Sequence, residues 1–241
     1  MPIWQEGDLR IHYQQTGSGF PVLLFAPGGM KSAIDFWDRM PWNPIEVLSP
    51  HFRVIAMDQR NAGQSSAPIT GEDDWPSYTA DHMGLLDALA IEQCHVLGCC
   101  IGGSYSLGLM QAAPQRVAAG ALLQPIGSTA ENRNAFYAMF DDWATELKAD
   151  RPEVTESDWQ AFRGRMYDGD FVYNVSREFV QSCETPMVIL EGDDLYHPRE
   201  ISLEIARLAP NATLIEEWKS GEAVQNSATQ VINFLKEHTP N

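Results

Sequence analysis

The residue of this sequence best suited to nucleophilic chemistry is Cys100, which lies in the stretch CHVLGCCIGGSYSLG at positions 94–108. An apolar run precedes it and small or apolar residues follow it, which predicts a strand, a tight turn and a packed helix. Gly98 and Gly102 bracket the cysteine at the spacing G-x-C-x-G. A residue at the tip of such a turn tends to have a strained positive φ, and flanking glycines leave room for it. The pattern therefore predicts a reactive side chain held at a sharp corner.

The neighbouring cysteine has a different expected role. Cys99 is out of phase with the two glycines, so we expect a small buried hydrophobic residue there. Cys100 is expected to be exposed at the N-terminus of the helix, where the helix dipole favours a thiolate. A purely structural alternative remains, in which both cysteines only pack between the strand and the helix.

The G-x-C-x-G spacing resembles the nucleophile elbow of the α/β-hydrolase superfamily, with Cys100 where most members have serine. A second segment, PGGM at positions 27–30, is similar to the loop in which the family usually has His-Gly before an oxyanion-hole residue. The resemblance implies that the backbone N–H groups of Gly29 and Ile101 form the oxyanion hole. Pro27 replaces the family's histidine but leaves the amide of Gly29 intact. Candidate substrate-binding residues in and after this loop are Met30 and Trp37.

A third segment, EGDDLYHP at positions 191–198, resembles the acid loop of the superfamily, in which a carboxylate orients the catalytic histidine. Asp194, four residues before Pro198, fits that role better than Asp193. The family's histidine is expected after the last strand, but positions 219–225 read KSGEAVQ and contain none.

Two residues are candidates for the base that is absent from the usual position. His197 lies near the acid loop, but a short loop closed by Pro198 leaves it little freedom to reach Cys100. Glu222 follows Gly221 much as histidine follows glycine in many relatives, yet a carboxylate with a pKa near 4.3 is a weak base. Because cysteine is partly ionised at neutral pH, acylation tolerates a missing base, whereas attack of water on the thioester does not. The expected consequence is slow turnover or a stalled acyl-enzyme.

The order of apolar runs and helix-like stretches predicts the fold. The run at 9–15 alternates apolar and polar residues, as in a half-exposed antiparallel strand, and later runs are typical of buried strands. Expected strands are 9–15, 21–26, 52–57, the run before Cys100, 120–125, 186–190 and 212–218, and expected helices include 79–90, 200–208 and 228–235. This alternation predicts an α/β fold with a mostly parallel central sheet and helices on both faces, the α/β-hydrolase fold.

The segment 128–184 differs from the rest because it combines many aromatic residues with many acidic ones. We expect it to form a small helical lid over Cys100, with residues 1–127 and 185–241 as the hydrolase core. Its aromatic faces suggest an apolar or aromatic acyl group in the substrate, although packing within the lid is the commoner use of such residues. The alternative is that these helices belong to the ordinary outer layer of the fold.

Length and charge restrict the possible partners. The chain has 241 residues, 44% of them hydrophobic, which is enough for one large α/β domain. Its formal net charge of -17 argues against nucleic acid and anionic membranes as partners. The sequence predicts neither a transmembrane segment nor a signal peptide, and the four cysteines lack metal-ligand spacing, so we expect a cytoplasmic protein with free thiols, no metal and no cofactor.

Two functions are compatible with these residues. The first is a hydrolase that cleaves a small ester, lactone or thioester through Cys100, similar to dienelactone-hydrolase-type enzymes in the nucleophile alone. The second is a ligand-binding or scaffolding protein that retains the fold with a degenerate site. A dinucleotide-binding site is a distant third, because positions 98–103 lack the G-x-G-x-x-G order. Substrate identity and oligomeric state are left open.

Overall fold

A computed structural model of the protein describes residues 2–240. The strands are β1 (Ile3–Glu6), β2 (Leu9–Thr16), β3 (Pro21–Phe25), β4 (Arg53–Met57), β5 (Cys94–Cys99), β6 (Val117–Leu123), β7 (Met187–Leu190) and β8 (Ala212–Ile215). They form one eight-stranded sheet in the order β1-β2-β4-β3-β5-β6-β7-β8. β1 and β2 pair antiparallel, β2 pairs antiparallel with β4, and the remaining neighbours are parallel. The predicted mostly parallel sheet is confirmed.

Helices cover both faces of this sheet, as predicted. They are α1 (Pro44–Leu48), α2 (Trp75–Ala88), α3 (Ile101–Ala112), α4 (Arg133–Lys148), α5 (Glu156–Tyr167), α6 (Arg177–Ser182), α7 (Arg199–Leu208) and α8 (Glu222–Glu237). One hydrophobic core joins the sheet to α2, α3 and the helices between β6 and β7, and a second joins the opposite face to α1 and α8. Within residues 2–240, none of the helices has the length and apolar character that a membrane crossing requires.

The predicted boundaries of β2, β3, β4 and β7 were accurate to within one residue, whereas β6 begins at Val117 rather than Gly120 and ends at Leu123 rather than Pro125. β1 was not predicted, because its four residues are too short to show an alternating pattern. The last strand was predicted over 212–218, but its pairing with β7 ends at Leu190 and Ile215. α8 begins at Glu222 rather than near Ala228, since its first turns carry mostly polar residues that give no apolar stripe.

The turn after β5 has the strained geometry that the glycine spacing predicts. Cys100 has φ 59° and ψ -120°, outside the regions that most side chains adopt. Its amide donates to the carbonyl of Leu123 at 3.0 Å, so β6 helps to hold the turn. A Cβ at Gly98 would lie 1.9 Å from the carbonyl oxygen of Gly102, and one at Gly102 would lie 2.1 Å from that of Phe25. Both glycines are therefore required by close backbone approach.

The segment between β6 and β7 contains α4, α5 and α6, and its aromatic side chains pack mainly on one another. Phe140 lies 5.3 Å from Trp143 and 5.2 Å from Phe162, measured between ring centroids. The Trp143 indole also donates to the carbonyl of Asn61 at 3.1 Å, which ties α4 to the loop after β4. Most of these rings therefore stabilise the segment itself, which was the commoner of the two uses considered.

Replacing Gly102 with alanine tests the role of the turn in stability. We expect Gly102→Ala to lower the free energy of unfolding by about 3 kcal/mol or more, because the new Cβ collides with rigid backbone. The control is Gly7→Ala, where φ is positive at 58° and no atom lies within 4 Å of the added Cβ, so this variant has no close approach to backbone. In Gly7→Ala, the positive φ alone should lower the free energy of unfolding by about 1 kcal/mol. Urea denaturation measures both, and equal losses would contradict the close-approach explanation.

Candidate active site

Cys100 lies at the carboxyl end of β5, where α3 begins, and opens into a small apolar cavity. The cavity has a volume of about 150 Å³. Its lining residues are Gly28, Gly29, Cys100, Ile101, Ile126, Phe136, Met139, Tyr196 and His197. The thiol is half-buried rather than exposed as predicted, because α4 contributes Phe136 and Met139 to the cavity wall, whereas Cys94, Cys99 and Cys183 are buried.

The acid loop brings a histidine to this cavity. His197 Nδ1 lies 2.8 Å from both carboxylate oxygens of Asp194. Since Asp194 occupies Nδ1, the Nε2 atom, which has no well-aligned hydrogen-bond partner, is the nitrogen available to the Cys100 thiol. Cys100, His197 and Asp194 therefore form a connected series of sulfur, imidazole and carboxylate.

The expectation that the short loop keeps His197 away from Cys100 was wrong, and the loop's hydrogen bonds explain why. The Asp194 carboxylate accepts from the amides of Tyr196 at 2.9 Å and His197 at 3.0 Å, which closes a tight turn. Gly192 permits this turn, because a Cβ there would lie 2.3 Å from the His197 carbonyl oxygen. The Asp194 carboxylate thus both orients the His197 imidazole and stabilises the backbone turn to which His197 belongs.

The charges of the site support one another. Burial by itself raises the pKa of the Cys100 thiol, but nearby His197 and the N–H groups of Gly28 and Ile101 outweigh it, so the pKa is lowered overall. Burial lowers the pKa of His197, yet the Cys100 charge and the Asp194 carboxylate raise it overall. The His197 imidazole lowers the pKa of Asp194 against a smaller opposing effect of burial. The arrangement favours a thiolate beside an imidazolium.

Two backbone N–H groups face the Cys100 sulfur. They belong to Ile101, whose predicted part in an oxyanion hole stays a prediction, and to Gly28, which the sequence did not single out. Gly29, the predicted oxyanion-hole residue, also lines the cavity. Its φ of 59° favours glycine, and a Cβ there would lie 2.3 Å from the Met139 sulfur, so a larger residue would strain the backbone and displace the Met139 side chain of α4. The part of Gly29 in an oxyanion hole stays a prediction.

Besides Asp194, which is connected to the cavity through His197, three predicted site residues do not line the cavity. Met30 and Trp37 are 1% and 0% exposed and belong to the two hydrophobic cores, so a place for them in substrate binding is not supported. Glu222 is exposed in the first turn of α8. The segment 219–225, in which the family's histidine was expected, begins with Lys219, which pairs with Asp193.

Several lining residues were missed or given another role by the sequence reasoning. Ile126 follows β6, and Tyr196 immediately precedes His197. Their position just after strand ends is the signal that could have identified them, since chemistry in parallel sheets collects at that edge. Phe136 and Met139 lie on α4 and gave no such signal.

Two buried histidines outside the site have partners of their own. His12 Nδ1 lies 2.8 Å from Asp58, and His95 Nε2 lies 2.9 Å from the Thr239 hydroxyl. Among residues 2–240, no group of three or more His, Cys, Asp or Glu side chains is arranged to hold a metal ion.

Residues 21–181 match the alpha/beta hydrolase fold family, which together with the sheet order and the turn at Cys100 defines the class of the protein. The chain belongs to this family. It is 26% identical to the 2-hydroxymuconate semialdehyde hydrolase of Pseudomonas putida, over 95% of this chain and 91% of that protein. A putative carbamate hydrolase RutD of Azorhizobium caulinodans is 36% identical over 117 residues, so the match spans 48% of this chain but only 42% of the relative.

Solved structures share the fold over nearly the whole chain. A variant of the meta-cleavage product hydrolase CumD superimposes with a TM-score of 0.75 at 22% identity, covering 98% of both chains. The enol-lactonase from Burkholderia xenovorans LB400 gives 0.74 at 20% identity, covering 98% of this chain and 100% of the other. At these identities the likeness shows the fold.

The thiol chemistry of Cys100 is testable by alkylation with iodoacetamide. Because its pKa is lowered, we expect the thiolate to persist as the pH falls below the usual value of about 8.5, and to disappear only below its own pKa. Cys94 and Cys99 are buried, and burial raises the pKa of each thiol, so both should react far more slowly. Peptide mass spectrometry from pH 5 to 9 measures the rates.

The His197→Gln variant is the comparison for this experiment. Without the imidazolium, the effect of burial, which raises the pKa of Cys100, is no longer outweighed. The pKa should therefore rise, and the alkylation profile of Cys100 should shift to higher pH. The control is His51→Gln, an exposed histidine outside the site. An unchanged profile in His197→Gln would contradict the charge pairing.

Proposed function

We propose that the protein hydrolyses a small ester, lactone or thioester, with Cys100 as nucleophile, His197 as acid and base, and Asp194 as the residue that positions His197. One observation carries the proposal: His197 Nδ1 is held 2.8 Å from Asp194 while its other nitrogen faces the cavity thiol. Nucleophile, base and orienting carboxylate in such a series are the usual requirements of covalent acyl transfer.

In the first half of the reaction, the Cys100 thiolate attacks the substrate carbonyl carbon and a carbon–sulfur bond forms. The carbonyl oxygen becomes an oxyanion, which Ile101 N–H and Gly29 N–H stabilise, while Gly28 N–H contributes to holding the thiolate. The bond to the leaving group then breaks, and its oxygen or sulfur takes the proton from His197 Nε2. The products are a thioester on Cys100 and a free alcohol or thiol.

In the second half, water attacks the thioester and His197 Nε2, now neutral, accepts its proton. The carbon–sulfur bond breaks, the acid leaves, and the thiolate and imidazolium are restored. Since one histidine serves both halves, the expectation of a stalled acyl-enzyme is replaced by turnover with general base assistance of about 10² to 10⁴-fold. The empty histidine position after β8, which motivated the ligand-binding alternative, therefore no longer favours it.

The cavity supports a small acyl group. Its volume of about 150 Å³ is below the usual range for drug-sized ligands, and its wall is mostly apolar. Phe136 and Met139 cover the thiol from α4, so we propose that segment 128–184 acts as a lid that excludes water during acylation. Relatives described as a putative carbamate hydrolase, a 2-hydroxymuconate semialdehyde hydrolase and an enol-lactonase support hydrolysis of small molecules as the general activity.

The acyl-enzyme can be observed directly. Mixing the protein with short p-nitrophenyl esters should give an acyl adduct in intact-protein mass spectrometry that Cys100→Ala abolishes. In His197→Gln we expect adduct decay to slow by about 10² to 10⁴-fold, because no group activates water. His51→Gln should decay like the wild type.

The outcomes separate the candidate bases and the two functions. If the acyl adduct persists in Glu222→Gln but decays normally in His197→Gln, the base is Glu222 on α8 and not His197. If wild type, Cys100→Ala and Cys100→Ser hydrolyse the esters at the same residual rate, the hydrolase proposal is wrong. Ligand recovered unchanged, with a raised melting temperature, would then favour the ligand-binding alternative.

A further inference from the structure

Three tyrosine hydroxyls lie buried near the candidate site without an evident structural use. They belong to Tyr78, Tyr105 and Tyr167, which we call the tyrosine layer, and these residues are 0–1% exposed. None of the three hydroxyls has a well-aligned hydrogen-bond partner, although those of Tyr78 and Tyr105 lie close enough to interact with each other. Buried hydroxyls are almost always hydrogen-bonded in native proteins, because leaving one unpaired costs free energy. Three together indicate a place where polar groups serve something other than folding.

The tyrosine layer lies directly behind the cavity wall. Tyr105 is one helical turn after Ile101 on α3, and Ile101 lines the cavity. The Tyr167 ring stacks on Phe136, another lining residue, with 5.4 Å between centroids and an interplanar angle of 26°. Trp75 joins the two tyrosines, at 5.5 Å from Tyr105 and 6.3 Å from Tyr167. The rings of Tyr105 and Tyr167 therefore lie one side chain away from the cavity above Cys100. Burial raises the pKa of both hydroxyls, and the charge of Cys100 raises it further.

Tyr78 extends the layer away from the thiol. Its ring stacks on that of Tyr105 with 5.1 Å between centroids and an interplanar angle of 20°. Burial raises the pKa of the Tyr78, Tyr105 and Tyr167 hydroxyls, so all three stay protonated and can donate hydrogen bonds. The layer thus offers neutral donors.

The surrounding charge decides which acceptor suits these donors. Arg60 lies over the Tyr78 ring at 5.5 Å, but its guanidinium is paired with Asp73 at 2.5 Å and Asp81 at 2.7 Å. Because two carboxylates pair with one guanidinium, this side of the tyrosine layer carries a net negative charge. The Cys100 thiolate adds further negative charge on the other side. An anionic group would therefore be repelled, whereas a neutral ketone or hydroxyl oxygen would be accepted.

We propose that Tyr105 and Tyr167 form a polar subsite for the far end of the substrate's acyl group, so that the substrate class is a short acyl ester or thioester with a neutral oxygen at that end. The inference rests on the proposed function, since it takes Cys100 as the place where the acyl carbon is held. The apolar part of the chain would run past Ile101 and Phe136 to reach the hydroxyls. A mostly apolar pocket with a few polar groups is the usual form of a small-molecule site.

Calorimetry with two uncleaved amides tests the subsite without depending on turnover. We expect wild-type protein to bind 4-oxopentanamide about tenfold more tightly than pentanamide, because the ketone gains hydrogen bonds in a buried site. Tyr105→Phe and Tyr167→Phe should each reduce this ratio toward one. The control is Tyr137→Phe, whose exposed hydroxyl bonds to Asp168 at 2.5 Å outside the layer, and it should keep the wild-type ratio.

Thermal denaturation separates a binding role from a structural one. Since the Tyr105 and Tyr167 hydroxyls lack well-aligned partners, both phenylalanine variants should keep or raise the melting temperature while losing the ketone preference. A lowered melting temperature with an unchanged affinity ratio overturns the proposal. Equal affinity of the two amides for wild-type protein, or no measurable binding of 4-oxopentanamide, overturns it as well. The anionic succinamate should bind more weakly than pentanamide, and tighter binding would contradict the charge argument.

The corresponding esters distinguish this proposal from the proposed function. If p-nitrophenyl pentanoate acylates Cys100 but the amides show no ketone preference, only the subsite is wrong. If the amides show the preference but neither p-nitrophenyl pentanoate nor p-nitrophenyl 4-oxopentanoate acylates Cys100, the ligand class stands and the hydrolase mechanism fails.

Discussion

Asp194 and His197 hydrogen-bond to each other across a turn of the acid loop, and this contact determines what the site can do. The Asp194 carboxylate accepts hydrogen bonds from two backbone amides of the turn and contacts the His197 Nδ1 atom, so a single group fixes both the loop and the imidazole. Because Nδ1 is occupied, Nε2 is left for Cys100. Without this contact, the thiol at the strained turn would have two N–H groups but no neighbouring base.

The contact also links the site to the helices above it. Asn132, just before α4, donates to the carbonyl of Leu195 at 3.0 Å and to that of Gly127 at 2.8 Å, so the acid loop and the start of α4 are tied together. At its other side, α4 packs Met139 against Gly29. A displacement of α4 would therefore affect the imidazole and the cavity wall together, as our proposal of a lid over Cys100 requires.

Most of the fold could be predicted from the sequence, because buried parallel strands give short apolar runs that alternate with helical patterns. The strained turn was equally predictable, since Gly98 and Gly102 are needed by backbone contacts that any strand, turn and helix of this kind creates. His197 could not be assigned in the same way. Its position depends on a turn closed by the Asp194 side chain and on the absence of a Cβ at Gly192, and neither contact leaves a repeating pattern. Met30 and Trp37 were predicted from their proximity in sequence to the oxyanion loop, which says nothing about which side of the sheet a side chain faces, and both are buried.

Titration of the His197 imidazole by ¹⁵N NMR, in wild type and in Cys100→Ala, tests the central claim most directly. If the imidazole faces the thiolate, its pKa in the wild type is raised above the usual value of about 6.5, and removal of the sulfur lowers it because only Asp194 then opposes the effect of burial. We expect this downward change in the His197 pKa, with the Nδ1 proton retained in both proteins. An imidazole that titrates near 6.5 in both would contradict it, since His197 and Cys100 would then not interact.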